Sequence, residues 1–94
     1  MQIVGRKVLH ELARQHADVS SAVEAWMCEA EEAEWRSPND VKERYPNASI
    51  LAGNRVVFNL KGNRYRLEVK ISYQNKTILI KRAGTHAEYS RWDI

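Results

Sequence analysis

The sequence contains little cysteine, proline or glycine, and each scarcity excludes a class of structure. Its 94 residues include one cysteine, two prolines and four glycines. A single cysteine excludes an internal disulfide and a multi-cysteine metal site. The few prolines and glycines leave no low-complexity linker, and a chain of this length supports one hydrophobic core rather than two. We therefore expect one domain over residues 1–94.

The sequence also lacks an apolar run long enough to span a membrane. Its first residues, from Met1 to Lys7, do not contain the apolar stretch of a secretory signal. With 44% hydrophobic and 29% charged residues, the composition is that of a globular protein and not of a disordered one. These observations predict a cytoplasmic protein with no membrane partner.

Acidic residues are scarce in the second half of the chain. Residues 1–50 contain six Lys or Arg and nine Asp or Glu, whereas residues 51–94 contain nine and three. The net charge is therefore −3 in the first half and +6 in the second. Such asymmetry within one small domain is the electrostatic pattern expected for a polyanion partner. A solvated basic sheet face without any ligand would give the same pattern.

Hydrophobic spacing predicts helices in the first half. Residues 2–4 suit a short strand, and apolar side chains at spacings of three and four predict helices around residues 8–13 and 19–33. Cys28 lies inside the second apolar pattern, which favours a buried structural thiol over a nucleophile.

Capping residues indicate where two of the helices begin. Asp18, Ser20 or a capping box of Ser21 with Glu24 can start the second helix, and the choice between them stays open. The Ser-Pro-Asn-Asp sequence of residues 37–40 predicts the start of a short third helix.

From residue 48 onward the pattern becomes that of strands. The predicted strands cover residues 48–51, 55–60, 64–73 and 77–81. In the third of them an apolar row and a charged row face opposite sides. The sequence thus predicts an α+β fold, in which a short N-terminal strand joins a mainly antiparallel sheet. Two helices and a helical turn pack on one face of this sheet, and basic residues occupy the other.

The basic half contains the side chains that metal-free RNA cleavage needs. The ribose 2′-hydroxyl must lose a proton, the 5′-oxygen leaving group must gain one, and the phosphate needs positive charge around it. Arg, Lys, His, Tyr and Glu suffice for these tasks. The carboxylates there, from Glu68, Glu88 and Asp93, are too few and scattered for a site that binds divalent ions. We therefore predict neither a metal nor another cofactor.

His86, Glu88 and Tyr89 place three proton-handling groups in four residues, just after the last predicted strand. In an extended segment His86 and Glu88 share a face, whereas in a helical turn His86 and Tyr89 do. Because histidine titrates near neutrality, His86 is the leading candidate acid or base. In the purely structural interpretation, His86 caps a loop and Tyr89 packs near the C-terminus.

Basic and amide side chains around the central hairpin are candidate RNA ligands. Arg64 and Arg66 stand on one strand face, where guanidinium groups can hold phosphate bidentately unless they pair with Glu68. Strand alternation puts Lys81 and Arg82 on opposite faces, so at most one of them joins the two arginines directly. The candidate RNA contacts besides these arginines are Asn59, Lys61, Asn63, Lys70 and Arg82.

Most of the large aromatic side chains are interpreted as core. Trp26 and Trp35 belong to helical segments, and Tyr65 and Tyr73 share the apolar strand row. For Trp92 two interpretations stay open, an anchor for the C-terminal segment and a contact with a partner.

Four blocks of the sequence carry a family resemblance. They are residues 35–42 (WRSPNDVK), 48–51 (ASIL), 55–67 (RVVFNLKGNRYRL) and 84–89 (GTHAEY), and together they resemble the HigB-type toxins, which are similar in fold to RelE-like ribonucleases. The last two blocks are specific in combination, and the resemblance covers almost the whole chain. Members often have an acidic residue after the GTHAEY block, where this chain has Ser90.

The resemblance implies a ribosome-associated mRNA endonuclease that uses no metal and cleaves by 2′-hydroxyl attack, leaving a cyclic phosphate. It also implies a cognate HigA-type helix-turn-helix antitoxin, so that operator DNA is contacted only through the antitoxin. By position, function should lie in residues 59–66 and 86–89.

We expect the two arginines of the hairpin, Arg64 and Arg66, to hold the phosphate while Lys61 steers the RNA backbone. His86 then transfers the proton, and Tyr89 and Glu88 position it or take part in the transfer. Two alternatives remain at this stage. One is a non-catalytic RNA- or ribosome-binding module, and the other is an inactive protein that only binds its antitoxin.

Overall fold

The computed structural model describes residues 1–93, in which the five strands form one sheet. In chain order the elements are β1 (Gln2–Val4), α1 (Arg6–Gln15), a 3₁₀ turn (Ala17–Val19), α2 (Ser20–Glu32), α3 (Pro38–Arg44), β2 (Ser49–Leu51), β3 (Arg55–Leu60), β4 (Tyr65–Ser72), β5 (Thr77–Thr85) and α4 (His86–Tyr89). The strand order is β1-β5-β4-β3-β2, with β1 parallel to β5 and all other neighbours antiparallel. None of the helices in the described part of the chain is long and apolar enough to cross a membrane.

Alternation along β4 divides the sheet into a covered face and an open face. Every second residue from Tyr65 to Ile71 is buried in the main hydrophobic core, together with residues of α1, α2 and α3. Arg66 and Lys70 lie on the opposite side, which we call the open face. The α+β fold, with the first three helices on one face of a mainly antiparallel sheet, is therefore confirmed.

Phe58 of β3 is the centre of an aromatic cluster that joins the sheet to the helices. Its ring centroid lies 5.3 Å from that of Trp26, 6.1 Å from that of Trp35 and 5.0 Å from that of Tyr45. Trp26 and Trp35 are both buried, as predicted, but Trp35 lies in the loop between α2 and α3 and not in a helix. Edge-to-face and offset aromatic pairs of this kind add to the stabilisation from buried apolar area.

Strand β5 is longer than predicted and contains a bulge. It runs to Thr85 because the pairing with β4 continues past a register shift, where Glu68 lies opposite Arg82 and Val69 opposite Ile80. Lys81 is the extra residue, and a bulge of this kind interrupts strand alternation. Simple alternation predicted opposite faces for Lys81 and Arg82. This alternation does not hold across the bulge, because Arg82 lies beside Glu68 on the open face.

The capping predictions were only partly right. Helix α2 follows the 3₁₀ turn directly, and its N-cap residue Val19 makes no side-chain capping bond, so none of the polar candidates caps it. Helix α3 begins at Pro38 as predicted, but Ser37 does not cap it through its hydroxyl. Asp40 stabilises this start instead, because its Oδ2 accepts a hydrogen bond from the backbone N–H of Arg36 at 2.8 Å.

Cys28 is exposed, so the prediction of a buried thiol is wrong. The buried residues of α2 are Val23, Trp26 and Ala30, at spacings of three and four. Cys28 comes two residues after Trp26, which rotates it by about 200° around the helix axis. Its thiol therefore points away from the core.

Replacing Phe58 with alanine should lower the free energy of unfolding by about 3–5 kcal/mol, since it removes the shared contact of three aromatic rings and leaves a cavity. Denaturant unfolding measures this change. Ile50→Ala is the control, because Ile50 is 39% exposed and its truncation should cost less than about 0.5 kcal/mol. Equal losses in the two variants would contradict the central position of Phe58.

Candidate active site

Helix α4 is a capped helical turn directly after β5. The hydroxyl of Thr85 accepts a hydrogen bond from the backbone N–H of Glu88 at 3.2 Å, and Glu88 Oε1 accepts one from the backbone N–H of Thr85 at 2.9 Å. The sequence left open whether residues 86–89 are extended or helical. This reciprocal capping box stabilises the helical conformation. The bond from the Thr85 backbone, followed by that from its side chain, lowers the pKa of the Glu88 carboxyl. In this structure Glu88 is thus the residue that holds the turn.

The turn packs closely over the end of β5. A Cβ atom at Gly84 would lie 3.1 Å from Glu88 Oε1 and 3.2 Å from Glu88 Cβ, which is closer than ordinary van der Waals contact. Gly84 lies opposite Arg66 in the pairing of β5 with β4. The absence of a side chain at Gly84 therefore allows α4 to lie over the open face beside Arg66.

Arg66, Tyr89 and His86 form a continuous cluster at this end of the open face. The guanidinium Cζ of Arg66 lies 5.1 Å from the ring centroid of Tyr89, and the centroids of Tyr89 and His86 are 6.4 Å apart. Arg66 Nη1 also donates a hydrogen bond to the backbone carbonyl of Asn63 at 2.8 Å. The cation–π contact and this bond fix the guanidinium between the hairpin and the turn. His86 is exposed, so a ligand can reach its imidazole.

A second arginine and aromatic pair extends the cluster. The Cζ atom of Arg82 lies 4.5 Å from the ring centroid of Trp92, which itself packs edge-on against Tyr89 at 5.3 Å. Arg82 Nε donates to Glu68 Oε1 at 2.6 Å, and Arg55 Nη1 approaches Glu68 Oε2 at 3.4 Å. These two arginines cover Glu68, which is 2% exposed although it lies on the open face. Trp92 therefore anchors the C-terminal segment through its contacts with Arg82 and Tyr89, which is the first of its two predicted roles.

Arg64 does not stand beside Arg66, so the prediction of a shared strand face is wrong. Strand β4 begins only at Tyr65, which leaves Arg64 in the preceding turn. Its side chain is 71% exposed, and its Nη1 lies 4.0 Å from Asp18 Oδ2 in the helical layer. Arg64 is linked to the cluster through its backbone, because its carbonyl accepts a hydrogen bond from the N–H of His86 at 2.8 Å.

Asp18 ties the hairpin to the helical layer. Its Oδ1 accepts a hydrogen bond from the hydroxyl of Tyr65 at 2.7 Å, and Lys61 Nζ donates to its backbone carbonyl at 3.1 Å and to Oδ2 at 3.3 Å. The bond from Tyr65, and after it that from Lys61, lowers the pKa of the Asp18 carboxyl. The same bond to Asp18 raises the pKa of Tyr65. Lys61 is thus paired within the protein.

Sequence reasoning missed this role of Asp18 and treated it as a helix cap. Its partners Lys61 and Tyr65 are 43 and 47 residues away along the chain. No local pattern connects residues at such distances, so the pairing has no signal in a single sequence.

The amide candidates lie near the cluster, whereas Lys70 does not. Asn59 lies opposite Arg66 in the pairing of β3 with β4, and its Nδ2 donates to Asn63 Oδ1 at 3.3 Å. Lys70 is exposed four residues further along β4, which at 3.3 Å per residue is roughly 13 Å from Arg66. The structure therefore gathers Asn59, Asn63, Arg66 and Arg82 at one end of the sheet.

Three carboxylates near the cluster are engaged by the protein itself. Glu88 caps α4, Glu68 pairs with two arginines, and Asp18 binds Tyr65 and Lys61. Within residues 1–93, no three His, Cys, Asp or Glu side chains lie close enough together to hold a metal ion.

Comparison with known protein families identifies the kind of protein that this site belongs to. The family model of HigB toxins, described as the RelE-like toxic component of a toxin-antitoxin system, matches residues 19–92. The chain belongs to this family. No curated protein matches it significantly. The family predicted from the four sequence blocks is thereby confirmed.

All the site residues that the sequence analysis predicted for this HigB toxin lie within the matched segment. As the toxic component of a toxin-antitoxin system, the protein is one half of a pair, and its partner is an antitoxin. Asp18 lies just before the matched segment, and its ion pairs with Lys61 and Arg64 attach the hairpin to the helical layer.

Replacing Asp18 with asparagine should destabilise the toxin at neutral pH, because Lys61 and Arg64 lose their carboxylate. The folded-state pKa of Asp18 is lowered, so its contribution is fully present above the unfolded value of about 3.9 and is lost as the pH falls through the folded value. The difference in unfolding free energy between wild type and Asp18→Asn should therefore be constant from about pH 5 to 7 and shrink below about pH 4.

Denaturant unfolding at several pH values measures this difference. Asp93→Asn is the matched control, since Asp93 is exposed and its substitution should cause no comparable loss. A difference that persists undiminished down to about pH 2 would contradict the assigned ion pairs.

Proposed function

We propose that this HigB toxin is a metal-independent endoribonuclease that cleaves mRNA on the ribosome. The observation that carries the proposal is the contiguous contact of Arg66, Tyr89 and His86 on the basic open face. A guanidinium group there can bind a phosphate, while an exposed imidazole on the same turn as Tyr89 transfers a proton. The family, a RelE-like toxin, agrees with such a reaction.

The proposed reaction is an intramolecular transfer at phosphorus. The ribose 2′-oxygen loses its proton and forms a bond to phosphorus, while the bond from phosphorus to the 5′-oxygen breaks. The 5′-oxygen takes up a proton, so the products are a 2′,3′-cyclic phosphate and a free 5′-hydroxyl. In our proposal His86 is the acid or base in this transfer, and Arg66 stabilises the charge that develops on the phosphate.

The other site residues have supporting roles in this proposal. Glu88 positions the turn that carries His86 and Tyr89, because its carboxylate forms the capping box. Arg82 and Arg55 share the single carboxylate of Glu68, so this group adds one net positive charge to the open face. Arg64 leans towards Asp18, but its side chain is 71% exposed, so it can bind a phosphate of the RNA away from the cleaved bond.

The remaining candidates, Asn59, Lys61, Asn63 and Lys70, contact the RNA on either side of the cleaved bond. Lys61 is bonded to Asp18, so it contributes a fixed rather than a mobile charge. We further propose that the antitoxin is of the HigA type and carries the helix-turn-helix domain of the pair.

Replacing His86 with alanine should abolish growth arrest and reduce mRNA cleavage by about 10²–10⁴-fold, the usual contribution of a general acid or base. Induced expression followed by primer extension on a chosen transcript measures both effects. His10→Ala is the matched control, since His10 is an exposed histidine on α1, in the layer behind the sheet.

Equal arrest and cleavage by His86→Ala and wild type would remove His86 from the mechanism. A wild-type protein that binds ribosomes without cutting mRNA would instead be the non-catalytic binding module. A wild-type protein that arrests no growth at all would be an inactive partner of the antitoxin.

Replacing Arg66 with alanine should reduce cleavage by about 10²–10³-fold, as expected when a fixed cation is removed from the reacting phosphate. Arg66→Lys should restore only part of the rate, because an ammonium group cannot bind phosphate bidentately. Arg14→Ala is the matched control, since Arg14 pairs with Glu11 on α1. Full activity of Arg66→Ala on isolated ribosomes with mRNA would contradict the role of Arg66.

A further inference from the structure

The open face carries a second surface at the end of the sheet away from His86. Val4 of β1 and Leu79 of β5 lie opposite each other in the parallel register. They are large apolar side chains that are 42% and 39% exposed. Both face away from the core, because the buried apolar side chains of these strands are Ile3, Ile78 and Ile80. We call this pair the Val4–Leu79 patch.

A shallow depression adjoins the patch. It has a volume of about 310 Å³ and is lined by Asn54, Lys70, Ile71, Ser72, Thr77 and Leu79. A protruding apolar side chain of a partner protein fits such a depression, and buried anchors of this kind contribute most of the binding energy at protein interfaces.

The rim of the patch is cationic. Lys70 lies opposite Leu79 on the neighbouring strand, and Lys81 follows two residues further along β5; both are exposed. Glu68, the acidic residue of β4 on this face, is buried between Arg55 and Arg82 and is unavailable to a partner. Charge complementarity therefore favours a partner with acidic residues beside its apolar contact.

RNA does not match the apolar part of this surface. Nucleic acids bind through phosphates, base edges and stacking on aromatic rings or guanidinium planes. Val4 and Leu79 offer neither a hydrogen-bond donor nor a π-face, so their exposure gains nothing from RNA. The surface is instead of the kind that a protein covers.

We propose that the Val4–Leu79 patch is the docking surface for an apolar segment of the antitoxin that is flanked by acidic residues. The inference rests on membership in the toxin family and not on the RNA chemistry proposed above. An antitoxin docked there lies on the same face of the sheet as the Arg66 cluster. It therefore neutralises the toxin from the side that RNA must approach.

The test uses the antitoxin itself, defined as the protein encoded beside this gene whose co-expression restores growth. Leu79→Glu should stay toxic and escape neutralisation, with the dissociation constant of the purified pair raised at least about tenfold. Leu79→Lys should weaken binding less, because it keeps the attraction to acidic flanks. Ile50→Glu is the matched control, since Ile50 is also 39% exposed but lies on β2 at the opposite edge of the sheet.

Each outcome bears on the proposal. If the antitoxin still neutralises Leu79→Glu fully, the proposal is wrong. If Leu79→Glu and Leu79→Lys weaken antitoxin binding equally, the proposed acidic residues beside the apolar segment are wrong. Lost toxicity in a folded Leu79→Glu protein, checked by its thermal transition, assigns the patch to RNA or the ribosome and overturns it as well. Should Leu79→Glu not fold, Val4→Glu gives the same comparison at the edge strand. Because binding is measured directly, the result does not depend on whether the toxin cleaves RNA.

Discussion

The antiparallel pairing of β4 with β5 is the constraint on which the candidate active site depends. It places Gly84 opposite Arg66, and the chain turns into α4 directly afterwards. Because Gly84 has no side chain, α4 can lie over the open face and bring Tyr89 against Arg66. A one-residue slip of this pairing would turn Arg66 to the covered face and separate the guanidinium from the turn.

Two arginines of the open face, Arg66 and Arg82, are held in place by contacts within the protein. Arg82 is fixed by the buried Glu68 and by the ring of Trp92, while Arg66 is fixed by a backbone carbonyl and by Tyr89. For the proposed reaction, fixing these charges in advance reduces the reorganisation that the transition state requires. The aromatic rings do this without neutralising the guanidinium charge, whereas a carboxylate in contact with Arg66 would compete with a phosphate.

The open face also combines two chemically different ends. Near α4 it carries arginines and aromatic rings, and near β1 it carries the aliphatic side chains of Val4 and Leu79. Helices α1, α2 and α3 occupy the other face. The proposed RNA site and the proposed antitoxin surface therefore share one side of the sheet. This arrangement follows from an antiparallel sheet that is covered on one side only.

The sequence by itself determined the class of the fold, the approximate extent of most strands and the family, because these depend on local periodicity and on contiguous blocks such as residues 55–67 and 84–89. It also located the turn that carries His86 and Tyr89. Only the tertiary structure decided that Arg66 contacts Tyr89, that Arg64 leans towards Asp18 and that a bulge moves Arg82 to the open face. These contacts depend on strand register and on pairs more than forty residues apart, such as Asp18 with Lys61 and Tyr65, for which a single sequence contains no local signal.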